Sequence, residues 1–117
     1  MFELRTGFMR KIKSKFPSSY PAWPVEISKK RNQKALRETA LKGVEEMFEA
    51  LQHLKNWKTH KTRGSCDFDR EEFLEEIVDA FNYFFAVLIL VGITPDELFD
   101  AYCKKNDTIH QRVDEGY

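Results

Sequence analysis

Apolar residues recur along this chain at three- and four-residue intervals, the spacing of one face of an α-helix. Over about Phe2 to Lys15, Phe8 and Ile12 lead to Phe16 as an apolar stripe with Lys and Arg opposite, which predicts a first helix that packs on a bundle. A second helix is predicted over roughly Ser28 to Leu54, where Leu36, Ala40, Val44, Met47, Phe48 and Leu51 fall on one side and Glu46 and Glu49 border them. Asp69 with Glu72 three residues on is a capping-box-like start for a third helix, which runs to Val91 and stops at Gly92. Thr94-Pro95-Asp96-Glu97 then supplies an N-cap, a proline at the first helical position and a glutamate at the third, the start of a fourth helix.

The segments between these elements read as connections. Pro17 to Pro24, with Ser18, Ser19 and Pro21, is a linker, and the polar stretch Asn56 to Asp69 around Gly64 is a loop. Helix three changes character along its length, amphipathic and acidic at first, then apolar nearly all round from Ala80 to Val91. Three other helices from so short a chain leave little to cover that segment, so a subunit interface is expected along it, in a two-fold dimer. The alternative is one well-covered central helix. The longest unbroken apolar run, Tyr83 to Val91, is far short of the roughly 20 residues of a membrane span.

The fold expected is therefore all-α, a four- to five-helix bundle in a single domain over residues 1–117. It divides into an N-terminal helix (1–16), a Pro-containing linker (17–26) and a helical core (27–117). Lys plus Arg and Asp plus Glu number 19 each, so no overall basic field points to a nucleic acid. Cys66 and Cys103 have no metal-ligand spacing and read as free thiols of a reducing compartment. The start, Met-Phe-Glu-Leu-Arg-Thr-Gly, has no signal-peptide pattern, and the expected location is cytoplasmic.

The chemistry lies in two acidic pairs, Glu46-x-x-Glu49 and Glu76-x-x-Asp79. Residues three apart on a helix project from one face, so each pair aims two carboxylates at one point. Four converging hard oxygen ligands repel one another unless a divalent cation joins them, and oxygen-only ligation favours magnesium, with manganese the alternative. The expected substrate is a phosphate ester. Acids at this spacing are usually a solvated face, and Glu72-x-x-Glu75 reads as such a decoy. Glu76 and Asp79 differ in being flanked by Ile77, Ala80 and Phe81, where uncompensated burial is costly.

These pairs, the gap between Glu49 and Glu76, and the ending Lys105-Asn106, Arg112 and Gly116-Tyr117 resemble the all-α nucleoside triphosphate pyrophosphatases. The resemblance covers about Arg37 to Tyr117 and is strongest to the dimeric dUTPases and the T-even phage dCTP/dUTP pyrophosphatases, with MazG-type enzymes further off. It implies magnesium-dependent hydrolysis of a deoxynucleoside triphosphate, dUTP or dCTP, to the monophosphate and pyrophosphate, by a homodimer that cleanses nucleotide pools in a bacterial or phage-infected cytosol. Glu46, Glu49, Glu76 and Asp79 match the metal ligands, with Glu49 also holding the attacking water as general base and Glu46 beside it. Asn56, Trp57 and Lys58 match the loop near the substrate, and Asn82, Lys105, Asn106, Arg112 and Tyr117 complete the implied nucleotide contacts. Ile109 and Val113 stand where the family ending has Asn and Gln, which leaves the preferred base open, a purine included.

His53, His60 and His110 read as surface or loop residues. A di-iron bundle needs Glu-x-x-His on two helices, and the chain has none. The rival of another class is a non-enzymatic helical module whose aromatic residues, 10 of them Phe, serve dimerisation.

Overall fold

The computed structural model describes residues 1–60 and 67–116. It contains α1 (Phe2–Lys15), α2 (Lys30–Leu51), α3 (Arg70–Val91) and α4 (Pro95–Asp114), with no strand among the described residues. The expected Gly64, Cys66 and Tyr117 features lie outside the described residues.

The two sequence-legible caps form. Asp69 Oδ1 accepts from the Glu72 backbone N–H at 3.0 Å, and Thr94 Oγ1 from that of Glu97 at 3.1 Å. Phe68, just ahead of the α3 cap, lays its ring 5.3 Å from that of Phe73, a hydrophobic staple fixing how the chain enters the helix. Gly92 ends α3 with φ 88°, while its N–H donates to Ile89 O and that of Ile93 to Leu88 O.

Helix α2 is shorter than its apolar pattern predicts. At its start the Asn32 and Gln33 side chains donate to the Glu26 and Ile27 carbonyls at 3.0 and 2.8 Å, holding that segment outside the helix. At its end Gln52, His53 and Leu54 tighten into bonds to the third residue back.

Helices α2 and α3 pack antiparallel. Gly43 faces Phe84 near one end, and a Cβ there would lie 2.6 Å from the Phe84 ring; His53 meets Glu76 near the other. The buried line on α2 is Asn32, Leu36, Thr39, Gly43 and Ala50, small or polar except for Leu36. The expected stripe is thus split: Ala40 and Met47 are half-buried, whereas Val44, Phe48 and Leu51 face solvent. Close approach of α3 over Gly43 selects the small-residue side.

Helix α1 packs on α3 through a face the pattern did not single out. Met9 is fully buried, whereas Phe8 and Phe16 are exposed, because Phe2 stacks at 4.9 Å on Phe85 and turns the Phe2–Met9 side inward. The Arg5 guanidinium, 3.3 Å from Tyr20 Oη, also lies over the Phe8 and Tyr83 rings. The Pro-containing segment is packed as well: Tyr20, Trp23 and Val25 lie against the core, and the Val25 N–H donates to Leu90 O at 2.8 Å. Together α1 and this strap cover the apolar half of α3, burying Ala80, Ala86, Ile89 and Leu90. With α2 on its other face, the chain itself covers most of the segment where an interface was expected, and Phe81 stays 45% exposed.

Helix α4 does not join the bundle. It turns from α3 by 108°, buries none of its residues and makes no more than a fringe contact with another helix. The radius of gyration is accordingly 18.2 Å, against about 13 Å for a compact domain of this length. Among the described residues no single helix is long and apolar enough to cross a membrane.

Candidate metal and phosphate site

The antiparallel register sets the last turns of α2 against the first turns of α3, which brings both acidic pairs to the same end and flank of the helix pair. Glu46 and Glu76 are half-buried at the seam; Glu49 and Asp79 are exposed beside them. Burial pushes the Glu46 carboxyl above its ordinary value, the Glu49 charge and a hydrogen bond with Glu49 push it further, and the charges of Asp79 and Glu76 add to this. Carboxylates from both helices thus act on one group. Among the described residues no Lys or Arg lies within salt-bridge distance of any of the four.

The sequence reading missed a fifth participant. His53 Nε2 donates to Glu76 Oε2 at 3.1 Å, with the two side chains 19% and 24% exposed. His53, Glu72 and Glu76 can offer ligand atoms all within 4.8 Å of one another, a group able to hold a metal ion. So Glu72, read as a decoy, belongs to this group, whereas of the four expected ligands Glu76 alone does; Glu46, Glu49 and Asp79 lie outside it. The signal was present in spacing: His53 is one turn beyond Glu49, and Glu72 one turn before Glu76.

The chemistry of this donor set fits a divalent cation. A carboxyl such as that of Glu46, whose hold on its proton is raised by burial and neighbouring carboxylates with no basic side chain between them, is relieved by a cation in the proton's place. The four acids are hard donors; His53 adds a softer nitrogen at one end.

The other sequence-predicted residues are more dispersed. Trp57 and Lys58 line an open cavity of about 730 Å³ together with Phe48, Leu51, Gln52 and Lys55, and Lys58 Nζ lies 5.5 Å from the Trp57 ring centre. That cavity is on the α2 flank of Phe48, roughly 100° round the helix from Glu49. Asn56 follows the same turn, and Asn82 is half-buried one turn beyond Asp79. Lys105, Asn106 and Arg112 are exposed on α4. Glu76 is about 22 Å along α3 from its end and Arg112 about 26 Å along α4 from its start. With the 108° bend between them, Arg112 is roughly 30 Å from the carboxylates of its own chain.

No family model, curated protein or solved structure matches this chain.

Proposed function

We propose that the protein is a magnesium-dependent nucleoside triphosphate pyrophosphatase that splits a deoxynucleoside triphosphate, dUTP or dCTP, into the monophosphate and pyrophosphate. It would act as a homodimer in the cytosol of a bacterium or a phage-infected host. The observation that carries the reading is the raised Glu46 carboxyl, with Glu49, Asp79 and Glu76 contributing to it and no cationic side chain among them. Such a cluster suits binding a cation that binds a polyphosphate.

In this reading Glu46, Glu49, Glu76 and Asp79 hold magnesium, with manganese able to replace it, and His53 fixes the rotamer of Glu76 through its hydrogen bond. Bound there, the ions neutralise the phosphoryl oxygens and help supply a nucleophilic water. Glu49, the exposed member of its pair, orients that water and accepts its proton. The base lies against Trp57 in the adjoining cavity, whose Phe48, Leu51 and Trp57 side chains suit a nucleobase. Lys58 stands beside it for the phosphate tail, and Asn82 offers an amide near Asp79. Lys105, Asn106 and Arg112 serve a substrate only from the α4 of a second copy, since their own α4 carries them away.

The test is pyrophosphate release from each deoxynucleoside triphosphate in turn, purines included, with magnesium and with EDTA. Magnesium-dependent release from dUTP or dCTP is expected. Release only from a purine substrate would move the specificity, and none from any would leave the rival reading, a helical interaction module, which the exposed apolar residues of α2 and α4 favour.

A further inference from the structure

Three helices leave apolar lines facing solvent. On α2 the line is Leu41, Val44, Phe48 and Leu51; on α3 it is Leu74, Val78 and Phe81. On α4 it is Phe99, Tyr102, Ile109 and Val113, with Asn106 the polar position between. All three keep the alternating three- and four-residue spacing by which one helix seats in another. In the antiparallel pair the α2 and α3 lines fall on the same side, opposite the carboxylates, so together they form one apolar back.

Among the described residues nothing covers this back. Its own α4 leaves the far end of α3 at 108°, and Phe48 remains 61% exposed and Tyr102 70%. The total exposed surface is 9592 Å², whereas a compact monomer of 13.9 kDa exposes about 6,700 Å². An excess of about 2,900 Å² per chain, about 5,800 Å² over two copies, matches the upper end of what obligate homodimers bury. Among the described residues α4 has an apolar line with nothing to seat on, and the back of α2 and α3 is a seat with no occupant.

We propose that two copies exchange these elements: α4 of each lies along the Leu41–Leu51 line of the other, beside the partner's Leu74–Phe81 line. A two-fold axis makes the exchange reciprocal, so every exposed line is covered and the assembly closes. The partner's α4 then borders the open side of the cavity at Phe48 and Trp57, completing its wall. The inference rests on the homodimer in the reading above but not on its chemistry. Pairing of α4 with α4 alone would leave the back of α2 and α3 exposed.

The arrangement is tested by sedimentation of the full chain and of Phe48→Asp and Tyr102→Asp, both at solvent-exposed positions where the chain's own helices do not pack. Wild type is expected to be a dimer. Each variant, with helix content unchanged by circular dichroism, is expected to dissociate at least tenfold more readily. A monomeric wild type would overturn both the homodimer and the exchange. A stable dimer indifferent to either substitution would overturn the exchange alone.

Discussion

His53 at the end of α2 donates a hydrogen bond to Glu76 on α3, its Nε2 standing 3.1 Å from Oε2. One side chain thereby orients a carboxylate of the acidic site from the helix that carries the other pair. His53→Ala is expected to weaken magnesium binding by about tenfold, the usual cost of losing an orienting partner behind a metal ligand. Titration calorimetry of the metal-free protein checks this; unchanged affinity would make the bond purely structural.

Glu49 is exposed and adds its charge to Glu46. Glu49→Gln is expected to lower pyrophosphate release by about 10²- to 10⁴-fold, the range for losing a general base, with the melting temperature preserved or raised. Turnover near the wild-type rate would remove Glu49 from that role.

The raised Glu46 carboxyl has a consequence for stability. The folded chain holds this proton more tightly than the unfolded chain, so the stabilisation is complete below the ordinary carboxylate range and is lost as pH rises through the raised value. Melts in EDTA are expected to show the metal-free protein gaining stability as pH falls from neutral into that range. Magnesium at neutral pH should restore it by binding the folded state. In Glu46→Gln the metal-free protein should melt higher at neutral pH and gain less from magnesium.

Arg112 lies roughly 30 Å from its own carboxylates by helix geometry. Arg112→Ala is expected to cost about tenfold or more in kcat/KM through a lost charge-assisted phosphate contact. Full activity of Arg112→Ala would place the phosphate clamp elsewhere.

Gly43 lets one edge of the Phe84 ring come close to α2, with a would-be Cβ at 2.6 Å. Alanine gains about 1 kcal/mol of helix propensity, but overpacking against a ring held between helices costs about 1 to 3 kcal/mol. Gly43→Ala is therefore expected to lower the melting temperature, as a thermal scan would show, and Phe84→Leu should recover part of the loss.

The features legible in the sequence are those whose cause is local. The caps at Asp69 and Thr94 and the stop at Gly92 depend on residues within one turn, and each forms as the spacing predicts. The facing sides of helices were less legible. Phe8 and Met9 are both apolar neighbours, and only the stacking of Phe2 on distant Phe85 decides which is buried. The apolar half of α3 demanded cover, but that Tyr20, Trp23 and Val25 of a proline-rich segment would supply it depends on tertiary packing. The acidic pairs stood out because both partners of each lie on one helix. His53 and Glu72 did not, because their meeting at Glu76 requires the register between two.

Gly92 combines a left-handed backbone with a neighbour, Pro24, whose Cβ lies 3.0 Å from where a side chain would begin. The bearing of the last helix is thus braced by the proline-rich strap near the other end of the sequence. Trimming that strap, or adding a methyl group at the elbow, would swing the arm and misalign the two copies of the proposed dimer while leaving the acids of each in place.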